Sequence, residues 1–410
     1  MKKHWNSFVV AVLLFVSVAV LLQCMDNDSA PDPRGTAFAT EEKCRQCHQA
    51  IYDSALLSAH FHASAPASLQ NVLGSFAAGR NIFVYDASTK LQMEQTDSGL
   101  YQALYINGKR TEARRFDMTF GLRHAQTSLY WKDDHLYELP VSYYTAVHAW
   151  ATSPGFSAVV PEFTRMIGRD CFECHSSNIS SKNKASAAAD NYFSTAEAAE
   201  TLEKNSLVYG IGCQRCHGSA AQHADWHREH PGEKNAKFIV VKNLLSHGQQ
   251  LDMCAVCHSG NDKIKLKSRF AFQPGDRLAD FFMSSAAFSN KKEFDVHGNQ
   301  FNLLAQSKCF LQSKTINCST CHNPHNSTDE SMASYSEKCM ACHQATSNNF
   351  CTAVGTPAIS ASSNCIDCHM PQQPSAAISF QLSGSSTTSS YLLRTHRIGI
   401  YKNGCNKKKF

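Results

Sequence analysis

Long apolar runs are nearly absent from this chain of 410 residues: the one such stretch runs from Phe8 to Leu22, and fifteen residues is short for a bilayer span. With 43% hydrophobic residues and a mean hydropathy of −0.33, the composition excludes a protein that crosses the membrane many times. Charge is also modest at 18%, and this balance excludes a wholly disordered chain. Length alone suggests two or three domains. What is abundant is cysteine, with 18 residues, and histidine, with 20. So many thiols in a chain this long fit neither a small disulfide scaffold nor an ordinary cytosolic enzyme.

Their spacing says what they hold. The pentapeptide Cys-x-x-Cys-His occurs seven times, as CRQCH at Cys44, CFECH at Cys171, CQRCH at Cys213, CAVCH at Cys254, CSTCH at Cys318, CMACH at Cys339 and CIDCH at Cys365. Residue frequencies alone would give about 0.04 such matches. The second cysteines are Cys47, Cys174, Cys216, Cys257, Cys321, Cys342 and Cys368, and the histidines are His48, His175, His217, His258, His322, His343 and His369. On one helical turn the first Cys and the His four residues later share a face, so two thiols reach the haem vinyl groups while the imidazole reaches iron. Covalent haem c with a proximal His follows, seven times over. Structural zinc would complete four ligands by pairing two such elements, and seven is odd; neither zinc nor dithiol chemistry requires a His after every second Cys.

Met1 to His4 form a basic n-region before the apolar run, the pattern of a signal peptide over residues 1–24. Leu21-Leu22-Gln23-Cys24 looks like a lipoprotein signal with Cys24 lipidated, although Gln23 replaces the usual small residue; an uncleaved N-terminal anchor and a soluble mature protein stay open. All three place the body outside the cytoplasm, periplasmic or associated with the outer membrane, where haem is attached covalently. In that oxidising compartment a Cys309 to Cys351 disulfide would clamp the haem motifs between them, against the alternative of two buried thiols. Cys405 stays unassigned.

The first two motifs are 127 residues apart, whereas later intervals are 42, 41, 64, 21 and 26. Between about Asn81 and Tyr144 the pattern changes to alternating and aromatic segments such as IFVYD, LYQALYI and SLYWK, with Asn107-Gly108 as a strong hairpin turn and Asp97-Ser98-Gly99 and Asp133-Asp134 as weaker ones. The expected fold is a mainly α and irregular, haem-packed multihaem cytochrome c fold with an inserted β-rich meander module. Residues 25–80 would carry haem 1, 81–150 the β insert and 151–405 haems 2 to 7. A helix is expected around Thr195 to Lys204, a surface linker over Ser180 to Asp190 and a flexible loop over Ser375 to Ser390.

Twelve histidines remain for seven sixth positions. His325 follows a motif behind the stiffening Pro324, His223 lies just after CQRCH, and His60 follows haem 1 with His62 as its competitor. His124, His148, His297 and His396 complete the candidate set. His135 reads as a solvated turn residue, and His227, His230 and His247 as solvated surface. Met370, adjacent to proximal His369, reads as packing. Tyr130, Trp131, Tyr143, Tyr144 and Trp150 read as core and haem contacts.

GIGCQRCHG (Gly210 to Gly218), QSKCF (Gln306 to Phe310), CSTCHNPH (Cys318 to His325), CIDCHMP (Cys365 to Pro371), THRI (Thr395 to Ile398), GLRHAQTSLYW, HLYELPVSYY and SPGF together resemble a family of exported multihaem c-type cytochromes. The haem part is similar to the tetrahaem electron carrier of ammonia oxidisers and, more distantly, to hydroxylamine oxidoreductase and pentahaem nitrite reductase. The resemblance implies largely bis-His, low-spin haems and a distal role for His60, His124, His223, His325 and His396. No Cys-x-x-Cys-Lys motif occurs, so the lysine-ligated active haem of the pentahaem reductases is absent, and nothing marks a crosslinking Tyr of the hydroxylamine oxidoreductase type.

The leading functional expectation is electron transfer between a quinol-linked donor and a terminal acceptor or reductase, with membrane attachment through Cys24 or an N-terminal anchor. A multihaem oxidoreductase with one open iron acting on a small nitrogen or sulfur compound is the alternative, and a module docking a partner through the β insert is the third. The formal charge of +5 omits the haem propionates, which bring the chain to about −2 oxidised and about −9 reduced. Nucleic acid is therefore not an expected partner.

Overall fold

The computed structural model describes residues 31–182, 200–283, 293–326, 331–344, 346–348, 350–351 and 364–401. The N-terminal apolar run, Cys24, Cys405 and most of the Ser180–Asp190 linker lie outside the described residues.

Alternating side chains build a β-sandwich between the first two haem motifs. Its strands are β1 Ser64–Pro66, β2 Ile82–Val84, β3 Thr89–Thr96, β4 Gly99–Ile106, β5 Lys109–Arg115, β6 Met118–Phe120, β7 Ala125–Lys132, β8 His135–Glu138, β9 Val141–Tyr144, β10 Ala149–Thr152 and β11 Met166–Ile167. Strands β2 to β5 form an antiparallel meander; the others form a seven-stranded sheet in the order β1-β6-β7-β8-β11, with β9 also pairing β7 and β10. The turn signals sit where the sequence placed them. Asn107 and Gly108 adopt φ of 51° and 77° between β4 and β5, Gly99 closes β3 onto β4, and Asp133 (φ 55°) closes β7 onto β8. The β-rich part is wider than residues 81–150, because β1 and β11 add edges from outside that span.

Phe83, Leu91, Met93, Leu100 and Leu104 of the meander meet Tyr130, Val141 and Trp150 of the larger sheet in one buried core. Gly74 is required there: a Cβ on it would lie 2.0 Å from the Trp150 ring. Strand β7 is covered on both sides. Tyr130 faces this core, while its neighbour Leu129 packs with Met118, Leu136, Phe172, Ile179 and Leu202 against the segment carrying the second haem motif. The sandwich is thus built into the wall of the rest of the chain.

The remainder is less helical than the composition suggested. Among the described residues the longest helix, Glu41–Ala55, has 15 residues, and the motif-bearing helices Arg169–His175, Cys213–His217, Cys318–Cys321 and Cys365–His369 are only one or two turns. Leu202 to Lys204, expected as helix, belong to β13 (Leu202–Tyr209), which pairs with β12 (Ser176–Ser181) because Leu202 and Ile179 bury apolar side chains there. The Ser/Thr-rich stretch expected as a flexible loop overlaps the end of β14 (Gln372–Phe380) and the start of β15 (Ser389–Arg394), which pair as a hairpin. Phe380 and Tyr391 anchor that hairpin on Tyr144, with Phe380 stacked at 4.3 Å between ring centroids.

Candidate functional site

The last four motifs follow local helix-initiation signals. Ser246 and Asn317 form capping boxes with Gln249 and Thr320, Asn364 accepts from the backbone N–H groups of Ile366 and Asp367, and Ser331 accepts from Ser334. The helix Glu41–Ala55 buries none of its residues and turns out of helical geometry at His48 (φ −115°, ψ 37°). A helix with no protein core of its own needs another apolar partner.

The motifs converge on one cavity of about 3180 Å³, lined by the cysteines and histidines of the first six motifs and by Ile366 and Met370 of the seventh. A pocket for one small molecule occupies only about 300–1,000 Å³. His60, His124, His223, His297, His325 and His396 also line it. His148 does not: it stands exposed on the β9–β10 turn with φ 48°, so the structure places this candidate away from the other six.

Four proximal imidazoles face a distal candidate. His48 faces His223 with ring centroids 6.3 Å apart, His258 faces His60 at 6.1 Å, His217 faces His325 at 5.8 Å and His322 faces His396 at 6.1 Å. Two imidazoles on opposite sides of one metal, each with a bond of ~2.0 Å, place their centroids about 6.2 Å apart. The spacing therefore fits an iron between each pair. None of these pairs joins a motif to a histidine near it in sequence, so the ligands tie distant segments together. His297 and His124 lie within electrostatic reach of each other, and His297 also of His175 and His258.

The histidines differ in which ring nitrogen is engaged. Nδ1 pairs with Ala63 O in His175, Val240 O in His217, Gln300 Oε1 in His258 and Gly399 O in His369, an arrangement that leaves Nε2 for a metal. In His322, Nδ1 pairs with Tyr335 OH. His223 and His124 do the same with Lys237 O and Tyr391 OH. His62 and His247 instead commit Nε2 to Leu56 O and Ile316 O. His230 stacks on Trp226. His227, read from sequence as surface, lines the cavity instead. Tyr335, Tyr391 and Gln300 carried no sequence signal as partners of these rings, since only the fold brings them together.

Burial pushes His60 and His396 down to about 4 and holds His48, His124, His175, His258, His297 and His325 below the usual imidazole range. They stand neutral near pH 7, the form that binds metal. Burial also pushes the Cys171 and Cys339 thiols up to about 11.

The motifs touch one another in succession. Cys44 and Cys213 lie within 4.8 Å, together with Glu41, and Gln214 exchanges two hydrogen bonds with Ala39. The Glu173 carbonyl accepts from Arg215 and Cys257, joining motifs two, three and four. Asn317 donates to Gln250, Lys338 to Cys321 O, and the Cys365 N–H to Ser336, linking motifs four to seven. The Glu173 carboxylate, fully buried inside CFECH, is held by Arg269 and Lys265 at 3.4 Å and by Ser268. Cys309 and Cys351 are both free rather than bridged, and Cys309 lines the cavity, with Cys339 and Cys342 near it.

No family model matches the chain. It is 24% identical over 185 residues to the multiheme cytochrome MtrA of Shewanella baltica (strain OS185), covering 42% of this chain and 51% of that one. The chain thus spans about half the length of this curated relative. Its fold is similar to that in the crystal structure of the outer cell wall cytochrome OcwA, with a TM-score of 0.50 and 16% identity over 85% of this chain and 79% of that one. Among the described residues no helix is long and apolar enough to cross a membrane.

Proposed function

We propose that this chain is a heptahaem c-type cytochrome that carries electrons outside the cytoplasm through closely spaced, mostly bis-His irons. The observation that carries the reading is the set of four motif histidines, each opposed by a distant imidazole at 5.8–6.3 Å. Covalently bound haem supplies a one-electron ferric–ferrous couple at each motif. The fourteen motif cysteines would attach it, and the opposed imidazoles His48 and His223, His258 and His60, His217 and His325, and His322 and His396 would hold its iron. Arg123, Arg165, Arg215, Lys242, Lys338 and Arg394 line the same cavity and offer cations to the propionates. The contacts between motifs give the order one, three, two, four, five, six, seven, so neighbouring redox centres would share protein contacts along the whole chain.

On this reading the partners are redox proteins, a quinol-linked donor and a terminal acceptor or reductase, and attachment to the membrane runs through a lipid on Cys24 or an N-terminal anchor. The likeness to the tetrahaem carrier of ammonia oxidisers and to hydroxylamine oxidoreductase belongs to the same proposal. Intact-mass measurement of the exported protein tests the cofactor count: seven added haem groups support the reading, and fewer overturn it.

A further inference from the structure

The helix Ala221–Glu229 carries two cavity-lining histidines one turn apart, and only one of them faces His48 as a stacked pair. The second, His227, has its ring 4.7 Å from that of His223. Its Nε2 is buried and meets no hydrogen-bond partner, unlike the Nε2 atoms of His62 and His247. His227 also lies within electrostatic reach of His48. A buried ring nitrogen without a partner is costly unless it serves something the protein binds. The helix itself buries none of its residues. It is tied at its start by Ala221 N–H to Ala37 O and through Ala220 to Gln214, and flanked by Lys43 at 3.8 Å from Asp225. Moving the His227 ring into the place of His223 takes less than the helical pitch of ~5.4 Å.

We infer that His227 is a reserve axial ligand for the iron held by His48, placed so that either it or His223 can close the distal position. The inference rests on the proposed pairing of His48 with His223. Exchange breaks one iron–nitrogen bond and forms another, so it needs no electron or added reactant. Its consequence is that the first haem stays closed to small external ligands when one imidazole is lost.

The test is the electron paramagnetic resonance spectrum of the full-length oxidised holoprotein, with haem content measured alongside. His223→Ala is expected to keep every iron low-spin, with a shifted signal for one of them, and His227→Ala to leave the spectrum unchanged. The double variant is expected to convert one iron in seven to high-spin. A high-spin iron in His223→Ala alone overturns the reserve role and leaves the His48–His223 pairing standing. A double variant that stays fully low-spin overturns both. If His223→Ala does not accumulate, His223→Gly matured with external imidazole serves instead: low-spin signal persisting after the imidazole is removed supports the inference, and high-spin signal refutes it.

Discussion

Replacing Gly210 by Ala should open one distal position without touching any histidine. Gly210 begins the segment GIGC and adopts φ +63°, and a Cβ on it would lie 2.0 Å from the carbonyl oxygen of Phe61. Real contacts of this kind stay beyond 3.0 Å, so the backbone at Phe61 has to recede by about 1 Å. Left-handed backbone costs a non-glycine residue about 1–2 kcal/mol. The overlap adds about 1–3 kcal/mol. The strand of chain that recedes carries His60, whose carbonyl accepts from Ile211 N–H at 2.8 Å and whose ring faces His258 at 6.1 Å. A shift of 1 Å in the segment carrying His60 takes the pair off the spacing of about 6.2 Å that one metal bridges. The expected outcome is one high-spin iron in the paramagnetic resonance spectrum, with six unchanged and a loss of about 2–5 kcal/mol in stability, read as a lowered melting temperature. A variant with a wild-type spectrum and wild-type stability would refute the role given to this contact.

His325→Ala should convert one iron to high-spin, because His217 then faces no imidazole at 5.8 Å; His148→Ala, at an exposed turn, should convert none, and the same spectrum reads both. Trp150→Ala should cost the sandwich about 3–5 kcal/mol, since the ring is 4% exposed in the shared core, read as a lowered melting temperature by far-ultraviolet circular dichroism. Glu138 gives a pH signature. Burial pushes its carboxyl up to about 7 from an ordinary 4.5, against the pull of Arg165 at 3.1 Å, so the folded state holds the proton longer than the unfolded one. Stability from this group is present below about pH 4.5 and lost as pH rises through 7, by about 3 kcal/mol. Glu138→Gln should flatten that slope in denaturation curves taken from pH 5 to pH 8, and an unchanged slope would refute the assignment.

The parts of this fold legible in the sequence are those fixed by neighbours along the chain. Asn107-Gly108 turns a hairpin because two adjacent residues take positive φ. A Cys-x-x-Cys-His motif is self-contained for the same reason, since its ligands fit on one turn. What was not legible depends on distant segments. His223 reads as local to the motif at Cys213, yet it faces His48, and His60 faces His258 rather than the motif just before it. His148 looks well placed beside buried Tyr144 and Trp150, but the turn it occupies points it to solvent. Ser375 to Ser390 reads as a loop by composition, and only packing of Phe380 and Tyr391 on Tyr144 makes its flanks a hairpin. The Cys309–Cys351 bridge rests on the compartment and on the loop it would close, whereas the fold brings Cys309 to the cavity and leaves both thiols free.

The most direct measurement is the paramagnetic resonance spectrum of the fully oxidised wild-type protein, recorded before and after adding a small nitrogen or sulfur ligand, with a redox titration on the same sample. An electron carrier with opposed imidazoles gives low-spin iron throughout, stepwise reduction over a broad range of potential and no response to the ligand. A high-spin fraction that converts when the ligand is added would contradict that account and identify an open iron.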